Sequence, residues 1–594
     1  MCGFYGLFTG KPLTREELKD QRKYSQLIKY RGPDFSGEYI SSKKDFYAWH
    51  HRLSIIDLKK NSNQPFKYKN YTILFNGEIY NYKKIKRKLE KKFRFKTNGD
   101  TEVLLYSWIM WGKKFHQYID GMYSFVIYDN KNLHFISDNF SEKPLYYLKI
   151  NNQIFFSSEQ SILIKQFRLK KNLDSNKINS FMSLGFLPYK FPIYDDLNYM
   201  KPSSIVTFDK NFKKYEIDYL NKYKKNIAKI RSFNDNNKTK LKNLLIESVE
   251  SRLTSDVPIA HFMSSGFDSV LIAAIAKKEL NYKLSTYTVR TSVNNKEIIQ
   301  VKRICKFLGL PNKIINYSHD QNFEKISKKL LNLFNEPNDN VAALMFMEMA
   351  KKIKQDGFKV SLCGLGGDEL IMGYNKYYFL NKINKYTFNQ NLLLNKLFNR
   401  LSFLFFGKLK NKFDKFILPS KFEKFLNFRN LENHENINSN FIKKIKEIRN
   451  DDNLLTSMYN FDINNTLPLS YNKALDLGSM RSSIEVRSPF LNIKIFNFLR
   501  RFENNIFLKG VSKKIFRDIL LEYLPESLIP KTKIGFNYPL NNIYKSIDFE
   551  NLNIDLKNNI LFLKKEHNLK KNNKDFNKLI FRLLILNNFL NEKN

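Results

Sequence analysis

The sequence predicts an α+β domain, built as a sandwich of sheets with flanking helices, followed by an α/β domain with a parallel sheet. Up to about residue 205, short alternating or apolar runs such as YTILFNGEIYNY and MYSFVIYD predict strands. From about residue 241, strand-like and helical runs alternate, which is typical of crossover connections in a parallel sheet. A chain of 594 residues exceeds one hydrophobic core, so two or three domains are expected.

We predict a first domain over residues 1–205, a linker over 206–240 and a second domain over 241–594. The linker is predicted because the stretch NKYKKNIAKIRSFNDNNKTK is polar and charged. Residues 380–455, rich in Lys, Asn, Leu and Phe, are expected to be a helical insertion. Further helices are predicted at 82–92, 241–253, 269–280 and 296–308, with strands at PIAHFM, KLSTYTV, KIINY and KVSLCG.

The formal net charge of +44 allows two interpretations. One is binding to nucleic acid or to a membrane surface. The other, which we prefer because no nucleic-acid-binding motif is recognisable, is a compositional bias on solvated helix faces such as FIKKIKEIRN. No apolar run approaches the roughly 18 residues of a membrane span. The three cysteines follow no metal-ligand spacing, so a cytoplasmic, reduced protein is expected.

Cys2 is the first candidate catalytic residue, because removal of Met1 would give it a free α-amine beside its thiol. An α-amine has a pKa of about 7.7–8.0 and can take the thiol proton near neutral pH. Nucleophile and base would then share one residue. Four segments of the first domain accompany Cys2, namely HRLSIID (51–57), FNGEIYN (75–81), TNGDTEV (97–103) and EKPLYY (142–147).

With these segments, residues 1–205 resemble the class II glutamine amidotransferase domain of asparagine synthetases, which implies an Ntn-hydrolase-like αββα sandwich. The resemblance implies that Cys2 attacks the side-chain amide of glutamine, while Asn76 and the Gly77 N–H stabilise the oxyanion. It also implies that Arg52 holds the α-carboxylate and that Glu78 and Asp100 hold the α-ammonium of glutamine. Asn-Gly and Asp are alternatively ordinary turn residues, but the combination of all these residues after Cys2 favours the functional interpretation.

The second candidate site begins with FMSSGFDSV (262–270), a small-residue turn between a predicted strand and helix. Such a turn lets backbone N–H groups approach a phosphate, although a serine-capped strand–turn–helix is the simpler interpretation of this motif alone. It resembles the pyrophosphate loop of ATP pyrophosphatases, with Ser265 in place of the first glycine. This resemblance implies an adenine nucleotide alpha hydrolase-like fold that cleaves ATP to AMP and pyrophosphate, and hence adenylation.

A second glycine turn, CGLGGDELIMGYNKY (363–377), carries two adjacent acids, which suit Mg²⁺. The resemblance to asparagine synthetases implies that Asp268 and Asp368 hold Mg²⁺. It places ATP against Met263, Ser264, Ser265, Gly266, Asp268, Ser269, Val289, Cys363 and Gly364. Cys363 is expected to line the pocket and not to act as a nucleophile.

Three further segments match the same family, namely SMRSSIEVRSPFLN (479–492), SKKIFR (512–517) and KTKIGFNYP (531–539). By resemblance, Glu485 and Lys533 belong to the synthetase site, where a lysine charge can stabilise the acyl-adenylate and its ammonia adduct. Lys533 is alternatively a surface lysine. The chain departs from the family's usual pattern at Leu365, Leu477, the shortened NEPNDN starting at Asn335, Ser137, Asn139 and Ser141.

The resemblance implies that ATP, aspartate and glutamine give asparagine, AMP, pyrophosphate and glutamate, with ammonia passing inside the protein. One alternative keeps this chemistry but amidates another carboxylate, such as a sugar uronic acid. A different alternative is a basic nucleic-acid-associated protein with an inactive synthetase core, which would bind heparin and lack glutaminase activity. The expected partners are therefore small-molecule substrates in a monomer or homodimer, without specific nucleic acid or a membrane span.

Overall fold

A computed structural model describes residues 2–218, 229–290, 295–317, 322–378, 381, 454–529, 543 and 574–591. The predicted insertion at 380–455 lies almost entirely outside these residues, and Lys533 with its motif lies wholly outside them. No helix within the described ranges is long and apolar enough to cross a membrane.

Two six-stranded antiparallel sheets form the first domain. Its strands are β1 (Gly3–Thr9), β2 (Phe35–Ile40), β3 (Phe46–Arg52), β4 (Phe66–Tyr68), β5 (Tyr71–Ile79), β6 (Gly121–Tyr128), β7 (Leu133–Ser137), β8 (Tyr146–Ile150), β9 (Gln153–Ser157), β10 (Leu197–Tyr199), β11 (Ser204–Phe208) and β12 (Lys214–Asp218). One sheet has the order β10-β8-β9-β1-β3-β2 and the other β12-β11-β7-β6-β5-β4. Cys2 immediately precedes β1, a central strand of the first sheet.

The sheets pack face to face through an aromatic core, in which the Phe46 ring stacks on Tyr128 with centroids 4.4 Å apart. The helices of this domain are α1 (Arg15–Ser25), α2 (Tyr82–Leu89), α3 (Asp100–Trp111), α4 (Gln160–Phe167) and α5 (Ser175–Leu184). Helices α1 and α4 pack on the first sheet. Helix α3 packs on β5 of the second sheet, and α2 packs against α3. The domain is therefore layered helix, sheet, sheet, helix.

The predicted linker is wrong at its start, because residues 204–218 complete the second sheet. Strand β11 pairs with β7, and β12 pairs with β11. Since β12 is an edge strand whose five residues are all exposed, its polar composition resembles that of a linker. The helix predicted from residue 241 already begins at Asp235, where Asn234 caps it by accepting the Asn237 N–H.

The second domain contains a five-stranded parallel sheet of order β15-β14-β13-β16-β17. Its strands are β13 (Ile259–Phe262), β14 (Ser285–Arg290), β15 (Asn312–Asn316), β16 (Val360–Leu362) and β17 (Glu485–Arg487). Its helices are α6 (Asp235–Arg252), α7 (Phe267–Lys278), α8 (Asn295–Leu308), α9 (Phe323–Phe334), α10 (Ala342–Gln355), α11 (Gly367–Leu370), α12 (Leu454–Phe461), α13 (Lys473–Met480), α14 (Ile493–Leu499), α15 (Lys514–Leu520) and α16 (Lys574–Asn591). The predicted alternation of strands and helices is present.

A buried cluster of charges joins the two domains. The Arg31 guanidinium contacts Asp476 of α13 through two parallel bonds, Nη1–Oδ2 of 2.9 Å and Nη2–Oδ1 of 3.1 Å. Its Nη1 also donates to Glu159 at 3.0 Å, and its Nε donates to the Cys2 carbonyl at 3.2 Å. The three charged side chains are at most 3% exposed. One arginine thus links the residue before β1 to the second domain.

We predict that Arg31→Met lowers the free energy of unfolding by about 3–5 kcal/mol, because two buried carboxylates lose their cation. Urea denaturation followed by tryptophan fluorescence measures this effect. All three tryptophans lie in the first domain, at Trp49, Trp108 and Trp111.

Arg22→Met is the matched control, since Arg22 pairs with Glu38 at the surface with half of its own side chain exposed. Its loss is expected to stay within about 1 kcal/mol. Equal destabilisation by the two variants would contradict the interpretation of Arg31.

Candidate functional site

The Cys2 thiol is buried, and its backbone N–H donates to Asn76 Oδ1 at 3.0 Å. Burial raises the pKa of this thiol, although the N-terminal ammonium, the Leu53 N–H and the Arg52 charge oppose the increase. A thiol with a raised pKa needs a proton acceptor before it can attack a carbonyl carbon.

Asn76 and Gly77 lie side by side on β5. Since Asn76 Oδ1 accepts from Cys2, its Nδ2 faces away, and Nδ2 has no hydrogen-bond partner among the described residues. Gly77 has φ = +148°, and a Cβ there would lie 2.1 Å from the Met122 carbonyl oxygen. A side-chain donor without a partner therefore stands beside Cys2, on a backbone that only glycine can adopt.

Arg52 ends β3, and its guanidinium is held by the chain that follows. Its two terminal nitrogens donate to the carbonyl oxygens of Ile56, Asp57 and Lys59 and to Asn63 Oδ1, at 2.5–3.0 Å. This network fixes the orientation of a positive charge that also acts on the Cys2 thiol. Because the four terminal N–H groups are donated to these oxygens, Arg52 offers a nearby carboxylate mainly its positive charge.

Glu78 and Asp100 supply the negative charge of this site. Asp100 begins α3 and accepts the Ile79 N–H at 2.9 Å, and burial raises its pKa to about 6. Burial, Glu485 and Asp100 together raise the pKa of Glu78 well above its usual range. Within the described residues, Glu78 Oε2 has no hydrogen-bond partner. Two buried carboxylates that lack sufficient cations suit a substrate ammonium.

The small-residue turn between β13 and α7 is folded by its own serines. The Ser264 N–H donates to Ser269 Oγ at 3.1 Å, and the Gly266 N–H donates to Ser264 Oγ at 3.2 Å. The Ser265 N–H donates to Glu297 at 3.3 Å, and the Met263 N–H donates to the Tyr287 carbonyl at 2.8 Å. The turn ends at the N-terminus of α7, where backbone N–H groups favour anions.

The second glycine turn packs directly against the first. A Cβ on Gly364 would lie 2.8 Å from the Ser269 nitrogen, and one on Gly367 would lie 2.4 Å from Asp268 Cγ. Both turns leave adjacent parallel strands, β13 and β16, at their carboxyl ends, where open α/β sheets bind ligands. Two motifs about 100 residues apart thus form one site.

Asp268 and Asp368 converge on one cation, the Lys513 ammonium. Lys513 Nζ lies 2.7 Å from Asp368 Oδ1 and forms a short hydrogen bond with Asp268. All three side chains are buried. Burial alone would lower the pKa of Lys513, but the two carboxylates raise it. Because Lys513 can stand in for a divalent cation here, the pair fits Mg²⁺ whose other ligands are phosphate oxygens or water.

Of the remaining predicted residues, Val289 and Cys363 share one buried apolar cluster beside the two turns, and Glu485 lies apart from them. Val289 is buried on β14. The Cys363 thiol lies 3.3 Å from Ser488 Oγ, and burial raises its pKa to about 11, which suits a pocket lining better than a nucleophile. Glu485, expected in the synthetase site, pairs with Arg487 on the side of β17 that faces the first domain. It therefore lies between the two sites.

The residues that depart from the expected pattern lie in four separate places. Leu365 is half-buried against apolar neighbours, and Leu477 is buried in the core that α13 shares with α10. The short loop after Asn335 contacts the first domain, since the Asp339 N–H donates to the Gly185 carbonyl at 2.8 Å. Ser137, Asn139 and Ser141 end β7 and begin the loop that follows it.

A small polar cavity lies at the domain interface, between the two predicted sites. It is lined by Glu142, Lys143, Asn472, Leu475, Asp476, Ser479, Val486 and Ser488. Residues of both domains contribute to its wall, and Ser488 also contacts Cys363 beside the second glycine turn. The cavity gives a small molecule space between the domains.

Sequence reasoning missed three charged residues of this region, namely Arg31, Arg487 and Lys513. Lys513 and Arg487 lie in segments that were matched to the family, so the match itself was a signal for them. Arg31 precedes Gly-Pro in KYRGPD and carries no signal beyond its position in the first domain.

Comparison with known proteins identifies the family of each domain. A glutamine amidotransferase domain model matches residues 1–220, and an asparagine synthase model matches residues 240–566, more than half of the chain. Asparagine synthetase [glutamine-hydrolyzing] 1 of Bacillus subtilis is 29% identical over 92% of this chain and 88% of its own length. A putative asparagine synthetase 2 of Methanocaldococcus jannaschii is 29% identical over 63% of this chain and 76% of its own length. Asparagine synthetase B of Escherichia coli is 26% identical over 63% of this chain and 65% of its own length. The chain therefore belongs to the asparagine synthase family and carries a glutamine amidotransferase domain before its synthase domain.

Proposed function

We propose that this protein is a glutamine-dependent asparagine synthetase, with an Ntn-hydrolase-type amidotransferase domain and an ATP-pyrophosphatase-type synthase domain. The observation that carries the proposal is one chain in which Cys2 and Asn76 form one site and the paired glycine turns with Asp268 and Asp368 form another. The buried interface between them supports transfer of a product from one site to the other.

In the amidotransferase site, the Cys2 thiolate attacks the side-chain amide carbon of glutamine. The α-amine released by removal of Met1 takes the thiol proton. This proton acceptor is needed because burial raises the pKa of the Cys2 thiol. Asn76 Nδ2 and the Gly77 N–H stabilise the oxyanion. The α-ammonium returns this proton to the leaving nitrogen, so that ammonia leaves, and water then hydrolyses the thioester to glutamate and the Cys2 thiol. Arg52, Glu78 and Asp100 hold the α-carboxylate and α-ammonium.

In the synthase site, a carboxylate oxygen of the acceptor attacks the α-phosphorus of ATP, and pyrophosphate leaves. Ammonia then attacks the acyl carbon of the adenylate and displaces AMP. Asp268 and Asp368 would hold Mg²⁺, which neutralises charge on the phosphates. The serine turn and the N-terminus of α7 bind phosphate oxygens, and Lys513 contributes a further positive charge. Lys533 is proposed to stabilise the adduct.

The polar interdomain cavity supports internal transfer of ammonia. Ammonia released into water at neutral pH is largely protonated and ceases to be a nucleophile. A cavity walled by both domains would shield ammonia from bulk water on its way to the adenylate.

We predict that Cys2→Ala lowers glutamine hydrolysis by at least about 1,000-fold, because the nucleophile is lost. Synthesis from added ammonium is expected to continue, since the synthase residues are separate. Both rates are measured on the purified enzyme, and its intact mass shows whether Met1 is removed.

Cys305→Ala is the control for this variant, because Cys305 is a buried cysteine of α8 outside both sites. Retained Met1 in active enzyme would overturn the role of the α-amine. Undiminished glutamine hydrolysis by Cys2→Ala would overturn the site.

We predict that Asp268→Asn and Asp368→Asn each lower ATP-dependent pyrophosphate release by more than about 100-fold, since losing one anionic metal ligand costs several kcal/mol of charge stabilisation. Glutamine hydrolysis is expected to persist in both. Pyrophosphate and glutamate release are assayed in parallel.

Asp518→Asn serves as the control, because Asp518 pairs with Lys514 at the surface of α15. Pyrophosphate release at the wild-type rate in either of the first two variants would show that these carboxylates are structural.

Leu365 bears on the choice of acceptor, because it stands where the family usually has a carboxylate. Leucine offers no charge to a substrate ammonium. We expect aspartate to be the acceptor, and a sugar uronic acid, which lacks an α-ammonium, is the alternative that Leu365 favours. Amide products are identified by mass after incubation with glutamine, ATP, Mg²⁺ and each candidate acid.

We predict that Leu365→Glu raises kcat/KM for aspartate by about 10- to 100-fold, the effect of one charge-assisted hydrogen bond of roughly 1.5–3 kcal/mol. Leu365→Gln, which has the same shape without the charge, is the control. Amidation of a uronic acid by the wild type, with no asparagine formed, would refute aspartate as the acceptor.

A further inference from the structure

Four ionisable side chains from the two domains meet where the proposed glutamine site borders the synthase domain. Glu78 and Asp100 come from the amidotransferase domain, and Glu485 and Arg487 come from β17 of the synthase domain. Each is buried, with Glu485 and Arg487 at 0% exposure. The group thus contains three carboxylates and one guanidinium, shielded from solvent.

Arg487 is held firmly by its own domain and loosely by the other. Its Nε donates to Glu485 Oε1 at 2.7 Å, and its Nη1 donates to the carbonyl oxygens of Arg252 and Thr254 at 2.8 and 2.7 Å. Its Nη2 lies 3.4 Å from Glu78 Oε1 without forming a hydrogen bond to any described residue. The guanidinium therefore bonds tightly to Glu485 and only attracts Glu78.

The loose contact leaves Glu78 open to a second cation. Arg487 Nη2 stays 3.4 Å from Glu78 Oε1, and Glu78 Oε2 has no hydrogen-bond partner among the described residues, so the Glu78 carboxyl group lacks a closely bound cation. Burial, Glu485 and Asp100 raise the pKa of this carboxyl group, and a bound cation would lower it again. Burial would also raise the pKa of Glu485, but the N-terminal ammonium, Arg487 and Lys143 lower it. An ammonium that binds beside Glu78 thus competes with Arg487 for the Glu78 carboxylate and not for the Glu485 carboxylate.

We propose that Arg487 is a positioning residue that couples occupancy of the glutamine site to Glu485 in the synthase domain. With glutamine bound, its α-ammonium balances Glu78, and Arg487 pairs with Glu485 alone. After glutamate leaves, Arg487 is again shared between the two carboxylates. The inference rests on the proposed glutamine site and adds to it a link to the synthase half.

Coupling of this kind is reciprocal. If glutamine changes the affinity of the synthase site for its ligands, those ligands change glutamine affinity by the same factor, typically about 5- to 150-fold. This factor is the ratio of the dissociation constants for glutamine without and with the synthase ligands. A mutation that weakens glutamine binding equally in both conditions therefore does not alter it. A residue that is only structural would change both constants and leave the ratio intact.

The test uses the full chain carrying Cys2→Ala, which binds glutamine without hydrolysing it. The dissociation constant for glutamine is measured by calorimetry with and without α,β-methylene-ATP, Mg²⁺ and the acceptor identified by the product screen. We expect a ratio of at least about 5 in this background. With Arg487→Lys added, which keeps the charge but cannot contact both carboxylates, we expect a ratio near 1.

Arg252→Lys is the matched control, because Arg252 is another buried interdomain arginine, paired with Asp120 and not with Glu78 or Glu485. It is expected to keep the ratio of the parent. Glu78→Gln breaks the same link from its other end and is expected to bring the ratio to 1, which tests the inference if Arg487→Lys does not fold.

Two results overturn the inference while leaving the proposed function intact. One is a ratio of 1 in the Cys2→Ala parent, and the other is an unchanged ratio in Arg487→Lys or in Glu78→Gln. Absence of any glutamine binding to the parent would instead refute the proposed glutamine site, and the inference with it.

Discussion

Charges buried between the two domains fix how the two candidate sites are placed relative to each other. Arg31, with no exposed side-chain surface, bonds to Asp476 across the interface and to the Cys2 carbonyl within its own domain. Breaking such a pair leaves an uncompensated buried charge, so the interface is stable only when donors and acceptors meet in one geometry. A purely apolar interface of the same area would permit sliding. Here Arg31 links Cys2, the residue before β1, to Asp476 of α13.

Much of the local structure was predictable, because its signals are local. Helix α7 begins two residues before its predicted start, where the small-residue turn ends, and both glycine turns leave adjacent strands as the alternation of elements required. The meeting of Cys2 with Asn76 followed from matched motifs. Strand β12 was missed because an exposed edge strand has the polar composition of a linker.

The interdomain contacts were not predictable, because they join residues that are distant in sequence and because charged residues are rarely buried. Arg31 and Asp476 are 445 residues apart. Charged side chains usually lie at the surface, so nothing local distinguishes a buried arginine among the 101 lysines and arginines of this chain. Arg487 and Lys513 acquire their significance only from the carboxylates that folding brings to them.

Helix α16 lies far along the chain and yet contacts both domains. It packs against α5 and α9, Arg582 donates to the Met182 carbonyl and pairs with Asp339, and the Phe589 carbonyl accepts from Lys171. A ribosome makes the amidotransferase domain first and α16 long afterwards. The surface around α5 and Lys171 therefore stays uncovered until α16 has been made, and this part of the interface forms only after most of the synthase domain has been translated.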